Sequence, residues 1–508
     1  MRKAAGQRLK EASGEPFALP AEDRERLAAR LELAVTRARR SGRATLATLT
    51  LPVADDVDPS AVVCAARRPG EPWFLFEQPE RGGAALAALG EAACLTASGE
   101  DRFATVADRW RALAAAAVSD PPDARERSGP LAVGGFAFAP DGGRDPVWSG
   151  FEPASLVVPE VALTRDARGG GDRAVAARAT GSRGGCRVGL TVAALAQPDD
   201  TARELLARLE ARLGEVERTI AARRPLDLLD PDPSGRFRIA SAMPPEHYEA
   251  AVARAVEQIR GGELEKIVLA REVDVHAPRA HDPAAVFGVL REAFPACSVF
   301  CVGRDDAAFV AASPELLLRR EGHRVSTLAL AGSMRRSADP AVDDHLGEQL
   351  MHSAKDREEH AIVIRRIERT LRQHALWVTA SPEPTLVKVA NIQHLATPIR
   401  AQLAQPLDVI ELLELMHPTP AVGGEPLARA RPLIPALEGL DRGWYAGPVG
   451  WADAAGDGEF CVALRCALLR GRLARCYAGV GVVRDSDPAA ELAETEVKLQ
   501  ALLPLLAG

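Results

Sequence analysis

The stretch CYAGVGVVRDSDPAAELAETEVKLQALL, residues 476–503, joins a glycine-containing strand to a helix. A helix completes a turn in about 3.6 residues, so Glu491, Glu494 and a lysine four residues later share one face. Gly479 and Gly481 precede that face and allow a ligand to approach the backbone closely. We interpret the stretch as one wall of an active site that holds a hard cation. Taken alone, the helix is more simply explained as a solvated surface carrying a Glu–Lys pair.

The chain around this stretch has 508 residues, 47% of them hydrophobic and 26% charged, with a formal net charge of -7. These values indicate a soluble globular protein with room for two or three domains. The negative charge gives no support to a nucleic-acid partner. No apolar run reaches the roughly 18 residues of a membrane-spanning helix, and the charged N-terminal segment lacks the apolar core of a secretion signal. We therefore expect a cytoplasmic protein without a membrane partner.

Eight cysteines are scattered along the chain, and none forms a Cys-x-x-Cys pair. This pattern argues against a zinc site, a redox pair or a disulfide scaffold. We expect free, buried thiols.

The order of the segments predicts three parts: a polar tail at 1–20, an N-terminal lobe at 21–235 and a C-terminal catalytic lobe at 236–508. The Pro, Asp and Gly residues of 223–237 mark the boundary between the lobes, and the Gly/Arg-rich segment 165–186 is a turn or exposed hairpin. Many predicted strands are joined by short hairpins, which indicates large, mostly antiparallel sheets flanked by helices. We therefore predict an α+β fold. No Gly-x-Gly-x-x-Gly motif links a strand to a helix, as a doubly wound dinucleotide-binding fold would require.

Hydrophobic periodicity gives the individual elements. Helices are expected at 21–40, 102–118, 199–223 and, as one long element, 341–375. Ala/Leu-rich pieces between the first strands are also expected to be helical.

Lys266 lies within the strand-like run LEKIVLAREVDV, where alternation places it on the same face as Val268 and Ala270. A lysine that faces inward must be paired or must lose its charge, and a neutral lysine is a competent general base. The alternative is a lysine on an edge strand, where its charge discourages aggregation.

Glu315 follows Ser-Pro in AASPELLLRR and projects from a rigid turn beside leucines. Apolar surroundings raise a carboxyl pKa and suit a general acid. The alternative is an ordinary glutamate in a turn.

Glu359 lies where the polar and apolar faces of DREEHAIVIRRIERTL meet. With Glu491 and Glu494 it provides three carboxylates on two helices, an oxygen-only set that suits Mg²⁺. His360 and His394 lack the spacing of paired metal-binding histidines, so we expect them to have structural or hydrogen-bonding roles.

Arg465 lies inside the apolar strand VALRCALL, where a buried arginine needs an anion. Its planar guanidinium matches the geometry of a carboxylate. An internal salt bridge would satisfy it equally well. Tyr445 either places its hydroxyl on the same anion or belongs to the core. The constrained loop HPTPAVGGEP, residues 417–426, is suited to holding backbone groups against a ligand.

Ten segments occur together and in order: EKIVLARE, SPELL, AGSMRR, EEHAIVI, HLATPI, HPTPAVGG, YAGPVGW, VALR, YAGVGVV and ELAETEVK. This set resembles the chorismate-utilising enzymes, which include isochorismate synthases, salicylate synthases, anthranilate synthase large subunits and aminodeoxychorismate synthases. The resemblance covers residues 240–508, and FLFEQP and GGFAF are its best traces in 1–240. It implies the fold of anthranilate synthase component I.

Within that family, HPTPAVGG resembles the isochorismate synthases. Ammonia-using members and salicylate synthases tend to carry a threonine near Ala421, and no tryptophan-binding LLES-type motif is visible. Ser333 departs from the threonine that often follows Ala-Gly, but it keeps a hydroxyl. The resemblance therefore implies Mg²⁺-dependent conversion of chorismate to isochorismate for menaquinone or siderophore biosynthesis. The alternatives are a salicylate synthase, an anthranilate or aminodeoxychorismate synthase component I, and a non-catalytic chorismate-binding protein.

The resemblance also implies roles for individual residues. Lys266 activates water for attack at C2, and Glu315 protonates the departing C4 hydroxyl. Glu359 and Glu494 hold Mg²⁺, and Glu491 acts through water.

The implied substrate contacts are His394, Ala421, Tyr445, Arg465, Gly479, Gly481 and Lys498. Arg465, Tyr445 and the glycine backbone hold the pyruvyl carboxylate. We expect a monomer with no glutaminase subunit.

Overall fold

A computed structural model describes residues 17–54, 56–120, 129–166, 188–220, 235–389 and 391–507. The predicted tail, the Gly/Arg-rich segment and the predicted lobe boundary lie wholly or largely outside these residues.

Helices in the described residues often begin with an aspartate whose side chain accepts hydrogen bonds from the first backbone N–H groups, followed by proline. The helices are α1 (Ala21–Ser41), α2 (Pro59–Ala66), α3 (Arg102–Ala116), α4 (Ala202–Ile220), α5 (Pro245–Arg260), α6 (Pro283–Ala293), α7 (Pro340–His352), α8 (Ala354–Arg372), α9 (Val409–Met416), α10 (Leu427–Glu438), α11 (Pro488–Leu499) and α12 (Leu503–Ala507). Among these helices, none has the length and apolar character needed to cross a bilayer.

The strands are β1 (Thr45–Val53), β2 (Gly70–Gln78), β3 (Ala84–Leu89), β4 (Ala93–Ala97), β5 (Leu131–Phe136), β6 (Ala154–Val158), β7 (Val161–Arg165), β8 (Val188–Ala196), β9 (Arg238–Ser241), β10 (Lys266–His276), β11 (Ser298–Asp305), β12 (Ala307–Ser313), β13 (Leu316–Glu321), β14 (Arg324–Arg335), β15 (Ala375–Ala380), β16 (Thr385–Val389), β17 (Ile392–Leu403), β18 (Gly424–Glu425), β19 (Pro448–Asp453), β20 (Gly458–Val462), β21 (Cys466–Arg470) and β22 (Leu473–Val482).

These strands form two large sheets. The first has 12 strands in the order β1-β8-β7-β3-β2-β11-β12-β21-β22-β10-β18, with β9 paired to β10. The second has 10 strands in the order β15-β17-β14-β13-β20-β19-β5-β6-β4, with β16 paired to β17. Neighbouring strands run antiparallel, as in β10 with β22 and β14 with β17. The prediction of an α+β fold with mostly antiparallel sheets is therefore confirmed.

Both sheets contain strands from each of the two predicted lobes. In the first sheet β2 pairs with β11, with Glu77 opposite Val299. In the second β5 pairs with β19, with Gly135 opposite Val449. The lobes are therefore joined by continuous hydrogen-bonded ladders, and their boundary at 235 stays a prediction.

Two details of the predicted elements were wrong. The long helix at 341–375 is two helices, because Ser353 leaves the helical conformation and its hydroxyl accepts a hydrogen bond from the N–H of Asp356. The Ala/Leu run at 84–89 is β3, a strand between β2 and β7. Its helix-forming residues are overridden because the strands on both sides pair with it.

Two hydrophobic cores lie on opposite faces of the 12-stranded sheet. Along β11, Phe300 and Val302 belong to the core that also contains residues of the 10-stranded sheet, while Val299 and Cys301 belong to the other. A sheet buried on both faces reads as a continuous apolar run, as this strand does. The candidate site lies where β10 and β22 of this sheet approach β14 and β17 of the other.

Candidate active site

A cleft of about 620 Å³, counting its open side, collects most of the predicted site residues. Its walls come from β14, β17, β22, α8, α11, the turn before β13 and the loop before β18. The predicted residues that line it are Glu315, Glu359, His394, Ala421, Tyr445, Arg465, Gly479, Gly481, Glu494 and Lys498. Lys266 borders the cleft through its contact with Glu359, whereas Glu491 is set back from it.

Lys266 is fully buried at the start of β10. Its Nζ forms an ion pair with Glu359, at 2.9 Å from Oε1. Nζ has no hydrogen-bond partner among the described residues. Because β10 lies between β22 and β18, Lys266 is not on an open edge, which excludes the alternative interpretation.

Gly481 makes room for this ion pair. A Cβ atom at position 481 would lie 2.1 Å from Oε1 of Glu359 and 2.8 Å from Cε of Lys266. A side chain at this point of β22 would displace the ends of the Glu359 and Lys266 side chains from their present positions.

Glu315 is buried in the turn between β12 and β13. The turn is fixed on both sides, because the N–H of Glu315 donates to Oγ of Ser313 and its carbonyl accepts from the N–H of Val462. Burial raises the pKa of the Glu315 carboxyl to about 8, against a smaller lowering by Lys266 and Arg465. Glu315 is therefore largely protonated at neutral pH, as a general acid must be.

Arg465 is buried in the cleft wall, and no carboxylate among the described residues lies within ion-pair distance of its guanidinium. Its Nη2 donates to Nε2 of His394 at 3.0 Å, and its Nε has no hydrogen-bond partner among the described residues. The backbone is in the left-handed region, with φ of 49°, a conformation often kept at functional sites. An internal salt bridge is thus excluded within the described chain, and the guanidinium is available for an anion.

His394 is held in one tautomer by its two partners. Nδ1 donates to the carbonyl of Gly332 at 3.1 Å, which leaves Nε2 to accept from Arg465. Burial, and secondarily the charge of Arg465, lowers the pKa of His394 to about 3. The ring is therefore neutral and orients the guanidinium.

Two tyrosines stack behind Arg465. The rings of Tyr445 and Tyr477 lie 5.1 Å apart between centroids, at an interplanar angle of 13°. A Cβ atom at position 479 would lie 2.8 Å from the Tyr445 hydroxyl, so Gly479 lets that hydroxyl approach β22. Both tyrosines line the cleft.

Glu494 is held on the cleft by two neighbours. Nζ of Lys498 lies 2.7 Å from its carboxylate and also donates to the carbonyl of Gly479, while the Ser333 hydroxyl donates to Oε1 of Glu494. Burial alone would raise the pKa of Glu494, but Lys498 and Ser333 together hold it below its ordinary value.

Glu491 lies one helical turn earlier and does not reach the cleft. Its carboxylate is buried and accepts a hydrogen bond of 2.6 Å from Nζ of Lys355. Burial and the nearby charge of Glu494 raise the pKa of Glu491. Glu491 and Glu494 therefore have different surroundings, although both lie on α11.

The ligands predicted for a magnesium ion are all carboxylates. No group of three or more metal-ligating side chains is assembled within the described residues. Each of the three predicted carboxylates instead contacts a lysine ammonium, at Glu359, Glu491 and Glu494. Glu359 and Glu494 share the cleft and offer only hard oxygen donors, so the residues present fit Mg²⁺.

The sequence-based prediction missed two residues near the site. Lys355 donates a hydrogen bond to Glu491, and Tyr477 lines the cleft. Lys355 is four residues before Glu359, a spacing that places both on one face of α8 and is a usable signal. Tyr477 directly precedes the Ala-Gly-Val-Gly segment, but nothing in its local pattern distinguishes a cleft residue from a core residue.

The chain resembles known proteins along most of its length. A family model described as "Chorismate binding enzyme" matches residues 33–507. The salicylate biosynthesis isochorismate synthase of Pseudomonas aeruginosa is 37% identical over 454 residues, which cover 89% of each chain.

Solved structures agree with this placement. The menaquinone-specific isochorismate synthase MenF from Escherichia coli has a TM-score of 0.72 and 26% identity, covering 94% of this chain and 99% of that one. Anthranilate synthase component I from Streptococcus pneumoniae has a TM-score of 0.59 at 20% identity, covering 85% and 90%, and shares the fold, as predicted. The match along nearly the whole chain shows that this protein belongs to the chorismate-binding enzyme family.

Proposed function

We propose that the protein is an isochorismate synthase, which adds water at C2 of chorismate and releases the C4 hydroxyl. The observation that carries this proposal is the placement of Lys266 and Glu315 on separate elements around one cleft, with Glu315 protonated at neutral pH. The full-length relative of Pseudomonas aeruginosa and MenF of Escherichia coli carry the name of this activity.

The proposed reaction has one proton acceptor, Lys266, and one proton donor, Glu315. In its neutral form Lys266 takes a proton from the attacking water through Nζ, and the new C–O bond forms at C2. The ring double bond shifts, the C4–O bond breaks, and Glu315 donates its proton to the leaving hydroxyl. One water is consumed and one released, so substrate and product are isomers.

Arg465 holds the pyruvyl carboxylate in this proposal. Its guanidinium is buried, oriented by neutral His394 and not paired with a carboxylate of the described chain. The Tyr445 hydroxyl and the backbone beside Gly479 complete the anion subsite, and Ala421 lies beside the ring. A bidentate arginine contact fixes both the charge and the orientation of a carboxylate.

Mg²⁺ is the proposed cofactor, with Glu359 and Glu494 as its ligands and Glu491 behind them through water. When bound, the ion neutralises the ring carboxylate of the substrate. Lys498 keeps Glu494 ionised and turned towards the cleft.

We also propose that the enzyme acts as a monomer and without a glutaminase subunit. A glutaminase subunit would supply ammonia, and in the proposed reaction water replaces ammonia as the nucleophile. The product would feed menaquinone or siderophore biosynthesis. The relatives' names include both salicylate and menaquinone routes.

The test is to incubate the purified protein with chorismate and Mg²⁺ and to separate the products by chromatography. We expect isochorismate without added ammonia, and loss of turnover on chelation. Salicylate as the main product, or a requirement for ammonia, would contradict the proposal.

Lys266→Ala extends the test, because it removes the group to which we assign the proton of the attacking water. We expect turnover to fall by about 10³-fold or more, within the range typical of lost general-base catalysis. Lys388→Ala, at a half-exposed lysine that pairs with two aspartates away from the cleft, should leave turnover unchanged.

A further inference from the structure

Helix α8 separates the cleft from a second, outer pocket of about 930 Å³. Lys355, Glu358 and Ile362 are spaced by three and four residues and line the outer pocket, while Glu359 lines the cleft. One helix therefore presents charged groups to both cavities.

The partition between the cavities is only one layer of residues thick. At the start of β10, Glu265 lines the outer pocket and Lys266, the next residue, contacts Glu359 of the cleft. Near the end of β22, Gly481 lines the cleft, and Val483, two residues later, lines the outer pocket.

Lys355 bridges this partition. Its side chain is 35% exposed towards the outer pocket, yet its ammonium forms a 2.6 Å contact with Glu491, whose side chain is only 2% exposed. Glu358, three residues later, lines the same outer pocket, and side chains at i and i+3 of a helix are neighbours.

Protein groups already supply counter-charges to the carboxylates of the proposed metal site. Three carboxylates, those of Glu359, Glu491 and Glu494, are each in contact with one lysine ammonium. A divalent cation that enters this site meets repulsion from any ammonium that remains, and at such short distances this repulsion is large.

We propose that Lys355 is an exchangeable counter-ion for the metal site. Its ammonium neutralises Glu491 when no divalent cation is bound, and it moves to Glu358 at the outer pocket when the cation binds to the carboxylates. This inference rests on the proposed magnesium site, and it assigns to Lys355 the control of metal affinity.

The test measures Mn²⁺ and Mg²⁺ binding to the full chain by isothermal titration calorimetry, without substrate. We expect Lys355→Met to lower the dissociation constant about tenfold, because one competing positive charge is removed. We also expect the added metal to raise the Tm of this variant more than that of the wild type, because Glu491 is otherwise buried without a counter-charge.

Two control variants isolate the exchange. Arg484→Met removes a positive charge from the same outer pocket, but none of the described contacts joins its side chain to Glu491. It should change the dissociation constant less than twofold. Lys355→Arg keeps the charge and should bind metal as the wild type does.

The possible failures are distinguishable. Unchanged or weaker metal binding by folded Lys355→Met, or an equal gain from Arg484→Met, overturns the exchange while leaving the magnesium site intact. Absence of metal binding by the wild-type protein overturns the proposed cofactor and the exchange together.

Discussion

Arg465, which we propose binds the pyruvyl carboxylate, is buried at a cost in stability. Its guanidinium is buried with a single neutral partner, His394, and an unpaired buried charge destabilises a folded protein. The cost is offset only when an anion occupies the cleft. Binding and stability should therefore respond in opposite directions to the loss of this side chain.

We expect Arg465→Met to raise KM for chorismate by roughly 30- to 100-fold, the size of a lost charge-assisted contact. The Tm of the substrate-free variant should equal or exceed that of the wild type. Steady-state kinetics and thermal unfolding measure the two effects. A large fall in Tm would show that the arginine is a structural group instead.

The role that we propose for Glu315 predicts that activity is sensitive to alkaline pH. Its pKa is raised to about 8 by burial, so the protonated form needed for general-acid catalysis predominates below that pH. We expect kcat/KM, which reports the pKa of the substrate-free enzyme, to fall as pH rises through about 8, and to be nearly lost in Glu315→Gln at every pH. A pH–rate profile with its alkaline limb unchanged in a folded Glu315→Asp variant would contradict this assignment.

At the scale of elements, β22 and α8 are in close contact at Gly481. A methyl group there would lie 2.1 Å from Oε1 of Glu359 and 2.8 Å from Cε of Lys266, so both side chains would have to move. The site therefore depends on the close approach of a strand to a helix as well as on its charged groups.

Gly481→Ala should consequently reduce kcat by about 10²-fold or more, as small displacements of catalytic groups do. Gly214→Ala, the same substitution in α4, meets only the end of a flexible arginine at 3.4 Å and should leave activity unchanged. Circular dichroism would confirm that both variants fold. Full activity in Gly481→Ala would show that Glu359 and Lys266 can rearrange freely.

Local patterns in the sequence predicted much of this site. Helical periodicity predicted that Glu491 and Glu494 share one face, and the alternation of strand residues predicted that Lys266 faces inward. The patterns could not show that Glu494 reaches the cleft while Glu491 turns to Lys355, because that difference depends on packing between α8 and α11. The patterns also predicted one helix where the structure has α7 and α8. A single serine can cap a new helix without interrupting the hydrophobic periodicity.

At the scale of the whole molecule, the sequence predicted antiparallel sheets but not the order of their strands. Hairpin spacing reveals which neighbouring strands pair. The pairing of β2 with β11, or of β5 with β19, joins residues more than 200 positions apart, and no local pattern encodes it.

These long-range pairs predict how the two predicted lobes behave when separated. Residues 1–235 and 236–508, expressed alone, should fail to unfold cooperatively, because each lacks strands at the interior of both sheets. Expressed together, they should form a soluble complex that unfolds with one transition. Calorimetry and soluble yield measure this, and cooperative unfolding by either half alone would refute it.

The same interleaving constrains synthesis on the ribosome. β5 can complete its place in the 10-stranded sheet only after β19, more than 300 residues later, has emerged. Until then the nascent chain presents apolar strands with open edges, which are prone to misassociation. In the cell, the yield of this protein should therefore depend on chaperones that shield the first half of the chain until translation is nearly complete.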